Sequence, residues 1–310
     1  MATNTTSTST LAPEIQTYYD KKLIDRLLPN LEYAKFAQKR PMPLNGGKTV
    51  QFRKFAALTP VSAALTEGVT PAGSAITVTE IRATPQQYGD FVEISDVLDM
   101  VALDPVLDEM STVLAEQAAQ TIDQRMADVI AAGTVVQYTG GKTSRATLTA
   151  ADVITIDDVR KAVRTLKRNN AKPIDGRNYV GIIEPGGAFD LQSDSKWEEA
   201  ALYAGSTQLF DGEVGRVYGV RFIESSFAKK FAGAGASGAD VLATMIIGKD
   251  SYGCVDVGGS GNVKMIVKQL GSGGSTDPLD QRATAGWKAL FTAVILEQLA
   301  MVRIESGVSG

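Results

Sequence analysis

The chain has 310 residues, of which 44% are hydrophobic and 21% charged, the balance of one large or two ordinary globular domains rather than of a disordered chain. It has no histidine and one cysteine, Cys254, which removes the commonest general base and zinc ligand, the histidine triads, an internal disulfide and a cysteine metal cluster. No run reaches the roughly 18 apolar residues of a membrane span, and MATNTTSTST lacks the basic and apolar regions of a secretory signal, so synthesis and retention in the cytoplasm are expected.

The net charge of -4 is unevenly spread. Residues 1–55 carry nine Lys or Arg against four acids, a local +5, which leaves -9 on the remainder. A basic arm on an acidic body suits docking on an acidic surface or approach to nucleic acid, while solvated helix faces would give the same count.

Residues 1–12 are rich in Thr, Ser and Asn and are expected to lack order. PEIQTYYDKKLIDRLL (13–28) spaces Ile15, Leu23, Leu27 and Leu28 as a short amphipathic helix ended by Pro29. PMPLNGGKTVQFRKF reads as a turn and a strand. Residues 56–80 hold small residues, Thr, Pro and Gly but few large apolar side chains. A segment this long that cannot build a core is disordered or is completed by a neighbour; its Thr and Val suit a long β-hairpin or loop. A strand pattern follows, with Ile76, Val78, Phe91, Val92 and Ile94.

The strongest helix spans 104–132. Asp104 serves as N-cap, Pro105 takes the first helical position, and an apolar stripe runs from Val106 to Ile130 before Gly133. Residues 134–150 read as a Gly/Thr linker. TIDDVRKAVRTLKR is a helix capped by Thr155, apolar at Val159, Ala162, Val163 and Leu166, and basic at Arg160, Lys161, Arg164, Lys167 and Arg168. YVGIIE is a buried strand, PGGAFDLQSD a helix, GRVYGVRFIES a turn and strand, and VLATMIIG and NVKMIVKQL are further strands. The final run WKALFTAVILEQLAMVRIES reads as one or two central strands, with a helix left open by periodicity. Without a regular βαβ repeat, the class is α+β.

Candidate chemistry is thin. GGKT occurs at 46–49 and 140–143, but Met42 and Val136 stand where a phosphate-binding loop needs glycine, so both read as turns. Asp157/Asp158 sit in a first helical turn, Glu198/Glu199 flank Trp197, and Asp277 and Asp280 bracket Pro278 as turn residues. None has the character of an isolated buried pair for acid–base work. Cys254 reads as a small buried residue.

In order, KKLIDRLLPNLEYAKFAQKRPMPLNGGKTVQFRKF, LTEGVTP, YGDFVEISDVLDM, the long helix and DPLDQRATAGWKALF resemble the major capsid proteins of tailed bacteriophages, from about residue 18 to 305. The resemblance implies the Johnson fold: an N-terminal arm at 1–44; an extended β-hairpin, the E-loop, at about 56–78 within a 45–150 region that also holds the P-domain and its spine helix at 104–132; an A-domain at 151–260; and a return to the P-domain at 261–310. It implies a non-enzymatic protein that self-assembles through pentamers and hexamers into an icosahedral shell around double-stranded DNA, in the virion, after assembly in the host bacterial cytoplasm. Neighbouring subunits would then support the E-loop, the basic arm would reach beneath an acidic neighbour, and the acidic body would keep DNA from the wall. Implied partners are other copies, a separate scaffolding protein, the portal and a decoration protein, with non-specific proximity to packaged DNA, no membrane and no cofactor.

Lys39, Arg40, Arg53, Asp280, Arg282 and Lys288 are candidates for contacts between subunits. With no lysine between Lys54 and Arg82, a lysine–asparagine crosslink from the loop tip is not expected. An encapsulin-like cellular shell and a carboxylate-dependent hydrolase are the alternative readings.

Overall fold

The computed structural model describes residues 20, 21, 23, 24, 27, 31–41, 49–65, 67–97, 106–197, 213–256, 263–270, 279 and 281–309. Its elements are β1 (Gln38–Arg40), β2 (Val50–Phe55), β3 (Val78–Ala83), β4 (Gln86–Ser95), α1 (Val106–Ala131), β5 (Val136–Tyr138), α2 (Ile156–Arg168), β6 (Tyr179–Ile183), α3 (Pro185–Gln192), β7 (Glu213–Val217), β8 (Val220–Glu224), β9 (Lys230–Phe231), β10 (Val241–Ile247), β11 (Tyr252–Val255), β12 (Val263–Lys268), β13 (Arg282–Phe291), β14 (Ala293–Ile295) and β15 (Met301–Ser306). The class is α+β.

A seven-stranded sheet runs β5-β15-β10-β6-β8-β7, with β9 against β10. Its inner strands β6, β10 and β15 are buried at every position, because helices cover both faces, and this is why they read as unbroken apolar runs. Alternation sorts their side chains. Val180, Ile182, Met245, Ile247 and Met301 join the cluster containing Ile122, Met126 and Ile130 of α1. Tyr179, Ile183, Ile246, Val302 and Ile304 join Val159, Ala162 and Leu166 of α2 and Leu191 of α3. The α2 cap is as the sequence implies: the Asp158 N–H donates to Thr155 Oγ1 at 3.4 Å, and that hydroxyl donates to Asp158 Oδ2 at 2.7 Å.

The second main sheet is antiparallel, β12-β13-β4. Ala283, Ala285, Trp287, Ala289 and Phe291 of β13 are buried, while Arg282 and Lys288 are exposed. The small residues let the sheet lie close to α1, whose own Ala115, Ala118 and Ala119 are fully buried in the same cluster. Gln117 fastens helix to sheet: Trp287 Nε1 donates to its Oε1 at 3.0 Å, and its Nε2 donates to Asp90 Oδ2 at 2.7 Å. With 26 residues and a rise of about 1.5 Å each, α1 is a rod of about 39 Å that bridges the two sheets.

Two segments differ from the sequence reading. The expected 134–150 linker contributes β5, which lies parallel to β15 at the sheet edge, and a 3-10 turn at Arg145–Thr147. Too few apolar residues mark it in sequence, because an edge strand needs only one covered side. The final run forms β13 beyond Trp287, β14 and β15, with a 3-10 turn at Gln298–Ala300 where the chain crosses between sheets. The N-terminal region, where it is described, is helical as expected and adds contacts that the sequence did not show. Leu23, Leu27, Leu31 and Tyr33 are buried in the chain's own core, and β1 runs parallel to β11. Asp20 Oδ1 accepts from the Met265 N–H of β12 at 2.7 Å. These residues help hold the chain's own body together, while Lys39 and Arg40 of β1 stay exposed. Asp104 and Pro105, the expected start of the long helix, lie outside the described residues.

The docked turn at Tyr33–Lys35 rests on a buried carboxylate. Asp123 of α1 is fully buried, its Oδ1 accepts from the Tyr33 N–H at 3.0 Å, and Tyr252 Oη donates to the Tyr33 carbonyl at 2.6 Å. Burial pushes the Asp123 carboxyl up to about 7, with Glu32 adding to the rise and the Tyr33 N–H and Lys35 opposing it. A folded value above the unfolded one means that the protonated form is favoured by folding. Stability from this group is therefore complete below about pH 4 and is lost as the pH rises toward 7. Asp123→Asn, which keeps the oxygen acceptor, should flatten that decline in urea unfolding measured from pH 4.5 to 8; an unchanged slope would contradict the assignment.

Candidate assembly interface

Many of the exposed large apolar side chains sit on the long hairpin and on the β12-β13-β4 sheet. In the hairpin, β2 and β3 pair from Val50↔Ala83 to Phe55↔Val78. Val50, Phe52 and Ala83 pack with Val255 to root it in the body, and Lys54 forms an ion pair with Glu297 at its base. Beyond the Ala56 N–H to Thr77 carbonyl bond at 2.9 Å, the described residues between 57 and 76 form no strand and are exposed throughout. Val61 is 85%, Leu65 75% and Ile76 65% exposed, apolar groups that a solitary soluble chain has no physical reason to array on one projecting arm.

On the outer sheet face, Phe91 of β4 is 63% exposed and lies over Gly286 of β13. A Cβ at Gly286 would come within 2.7 Å of the Phe91 Cβ and 2.9 Å of the Asp90 carbonyl oxygen, so the glycine permits the close approach. Ile266, opposite Gly286 on β12, extends the apolar patch. Lys288 faces Lys264 across the β12–β13 ladder, two exposed like charges side by side. Direct juxtaposition of like charges is unfavourable within one chain and leaves both free for acids brought from elsewhere.

Of the other residues singled out in sequence, Lys39 and Arg40 are exposed on β1, and Arg53 is exposed on β2 opposite Glu80. Arg282 is exposed and lies 3.9 Å from Glu93 of the adjacent strand, an ion pair within the chain. Asp280 lies outside the described residues, as do Glu198, Glu199 and Asp277. The sheet brings Arg282 and Lys288 onto one outward face, whereas Lys39, Arg40 and Arg53 belong to other elements.

The candidate chemical features that are described have structural partners. GGKT at 140–143 is a turn: the Lys142 N–H donates to the Thr139 carbonyl at 3.1 Å, and the Lys142 amine lies 3.8 Å from Asp152. Asp157 is paired with Arg160 and Lys196, and Asp158 with Lys161 and its own helix cap. Cys254 is buried, and burial pushes its thiol up to about 12, far from a reactive thiolate. Among the described residues, no group of three or more carboxylates or thiols could hold a metal ion, and no helix is long and apolar enough to cross a membrane.

Sequence reasoning missed the residues that join the two halves of the body. Glu305 of β15, fully buried, accepts from Arg145 Nε at 2.8 Å and Nη2 at 2.6 Å, and from Arg303 Nε at 2.7 Å. Arg303 Nη1 donates in turn to the Gly133 carbonyl at 3.1 Å and to the Ala131 carbonyl, meeting the C-terminal end of α1, where a cation complements the helix dipole. The Arg145 guanidinium stacks 3.4 Å from the Phe231 ring centroid. The only sequence signal was a charged alternation, VRIES, inside an apolar run.

A hairpin with exposed apolar residues and an outer sheet face bearing Phe91, Ile266 and exposed charges are the surface features that the fold leaves outward. The chain matches the model of the phage capsid protein family over residues 78–304. It belongs to that family and is a tailed-phage major capsid protein that forms the head shell. Among solved structures it is similar to the capsid of Ralstonia phage GP4, with a TM-score of 0.69 at 14% identity over 86% of this chain and 85% of that one. It is also similar to the capsid of cyanophage P-SCSP1u, with 0.66 at 19% over 88% and 87%, and to the acid-stable capsid of Helicobacter pylori bacteriophage KHP30, with 0.65 at 13% over 87% of each. No curated protein sequence matches. The encapsulin and hydrolase readings are not favoured.

Removing one partner of a buried ion network leaves the others uncompensated, at a cost of roughly 3–5 kcal/mol. Glu305→Ala should therefore lower the subunit's unfolding midpoint by several degrees, whereas Glu93→Ala, at an exposed pair, should shift it little. Equal midpoints for Glu305→Ala and wild type in circular dichroism melts would contradict the bridging role.

Proposed function

We propose that the subunit builds an icosahedral shell through pentamers and hexamers around packaged double-stranded DNA, and that its hairpin tip, about residues 56–78, is completed by the body of a neighbouring subunit. The observation that carries this reading is the contrast within one hairpin: a root packed in the body and a tip whose described apolar residues are exposed. Burying several such side chains at roughly 1.5–3 kcal/mol each would reward association strongly. In this reading residues 1–44 are the arm, residues 45–150 hold the E-loop and the P-domain with α1 as the spine helix, residues 151–260 form the A-domain, and residues 261–310, with β12–β15, return to the P-domain.

The role is structural rather than catalytic. Lys39, Arg40, Arg53, Asp280, Arg282 and Lys288 are offered to neighbouring subunits at exposed strands and turns. A separate scaffolding protein directs closure in the host cytoplasm, a portal occupies one vertex, and a decoration protein takes an outer site. The acidic bulk of the chain keeps the genome from adhering to the wall.

Electron microscopy and light scattering of the protein, alone and with its scaffold, should show shells, tubes or rings. Replacing residues 57–76 by two glycines should leave the subunit's far-ultraviolet spectrum and melting midpoint near wild type and abolish those assemblies. Normal shells from the truncated chain would overturn the assigned role of the hairpin.

A further inference from the structure

Among the described residues two oppositely charged surfaces remain unmatched, and they lie on opposite sides of the seven-stranded sheet. On the α2 side, Arg160, Arg164, Lys167 and Arg168 form one helical stripe along a groove of about 450 Å³. Arg160 is paired with Asp157 at 3.1 Å, but Arg164, Lys167 and Arg168 are exposed and have no acidic partner among the described residues. Tyr218 closes the groove at the β7–β8 turn, with the Arg160 guanidinium 5.1 Å from its ring centroid. It holds φ at +48°, followed by Gly219 at +80°, the two-residue turn with both positions left-handed that suits a tight hairpin. The turn thus presents a 54% exposed aromatic ring at a backbone angle that disfavours side chains.

On the α1 side, Glu32, Glu116, Gln120, Glu224, Ser226 and Phe227 line a cleft of about 350 Å³. Glu32 is paired with Lys35 at 2.9 Å, while Glu116 and Glu224 are exposed and have no cationic partner among the described residues. Each surface therefore carries unspent charges of one sign beside an aromatic ring. They cannot meet within one chain, because the sheet and its helices separate them.

We propose that, within the shell assigned above, the basic face of α2 docks in the glutamate-lined cleft of the adjacent copy, with Arg164 and Arg168 opposite Glu116 and Glu224. A contact between two different patches on opposite sides of a subunit is head to tail, and repeated contacts of that kind close a ring. Complementary charge sets the register of neighbours in such a ring and disfavours the reversed approach, which would oppose like charges. Hydrophobic contacts of the hairpin would supply affinity, and this pair would supply orientation.

The test is a charge exchange. Arg164→Glu with Arg168→Glu should raise the protein concentration needed for ring or shell formation by about tenfold or more, since like charges opposed across an interface strongly disfavour association. Glu116→Arg with Glu224→Arg should do the same. All four positions are exposed, so melting midpoints should stay near wild type and certify the fold. The chain carrying all four substitutions restores the pairing with its sign inverted and should assemble at close to the wild-type concentration. Either pair assembling like wild type, or the fourfold variant failing to recover, would overturn the proposal while wild-type assembly upheld the shell reading. Basic-face variants that form normal shells but retain less DNA would also overturn it, by assigning the stripe to the genome. A wild-type chain that never associates, with or without scaffold, would overturn both.

Discussion

The structure depends on the burial of one helix against two sheets. α1 meets β12-β13-β4 through alanines and through Gln117, and meets the seven-stranded sheet through Ile122, Met126 and Ile130. Its C-terminal end is tied by Arg303, itself held by Glu305 and linked through it to Arg145. Without this helix the two sheets would have no common core, because each lays one apolar face on it. The docked turn at Tyr33 and the β1–β11 pairing close the remaining side. The result is a body whose interior is complete without a second chain.

That completeness gives meaning to what is left outside. A protein that buries Trp287, Phe291 and Tyr252 in its own core has no folding reason to hold Val61 and Leu65 in solvent on a hairpin. The rigid body fixes the root of the hairpin through Phe52 and the Lys54–Glu297 pair, so the tip projects from a defined position. Stiffness at the root and incompleteness at the tip are what a shell subunit needs, since neighbours must find the same surface in the same place at every repeat. The shell-forming role follows from this division of labour rather than from any single motif.

Much of this was legible in sequence where local rules and burial agree. The Thr155 cap, the α2 stripe and the buried YVGII and VLATMII strands read directly, because helical and strand periods are visible when one or both faces are apolar. The poverty of residues 56–80 in core side chains read as a segment either disordered or completed by a neighbour, and its described residues are exposed. In RATAGWKALF, buried Ala283, Ala285, Trp287, Ala289 and Phe291 alternate with Arg282, Gly286 and Lys288 on the other face, and the close approach at Gly286 is to Phe91, 195 positions away in the chain. Long-range pairings of that sort leave little trace in a single sequence. The Arg145–Glu305–Arg303 network and the Asp123 cap were missed for the same reason: a buried charge looks like a surface charge until its partner is located. β5 was missed because an edge strand of three residues carries almost no pattern.

The central claim is that the hairpin tip lacks a partner in the subunit and gains one in the assembly. Amide hydrogen exchange, followed residue by residue in dissociated subunits and in assembled particles, tests it directly. Residues 57–76 should exchange freely in the subunit and become strongly protected on assembly, while β10 and β15 stay protected in both. Equal, rapid exchange of the tip in both states would contradict the account, since no neighbour would then be completing it.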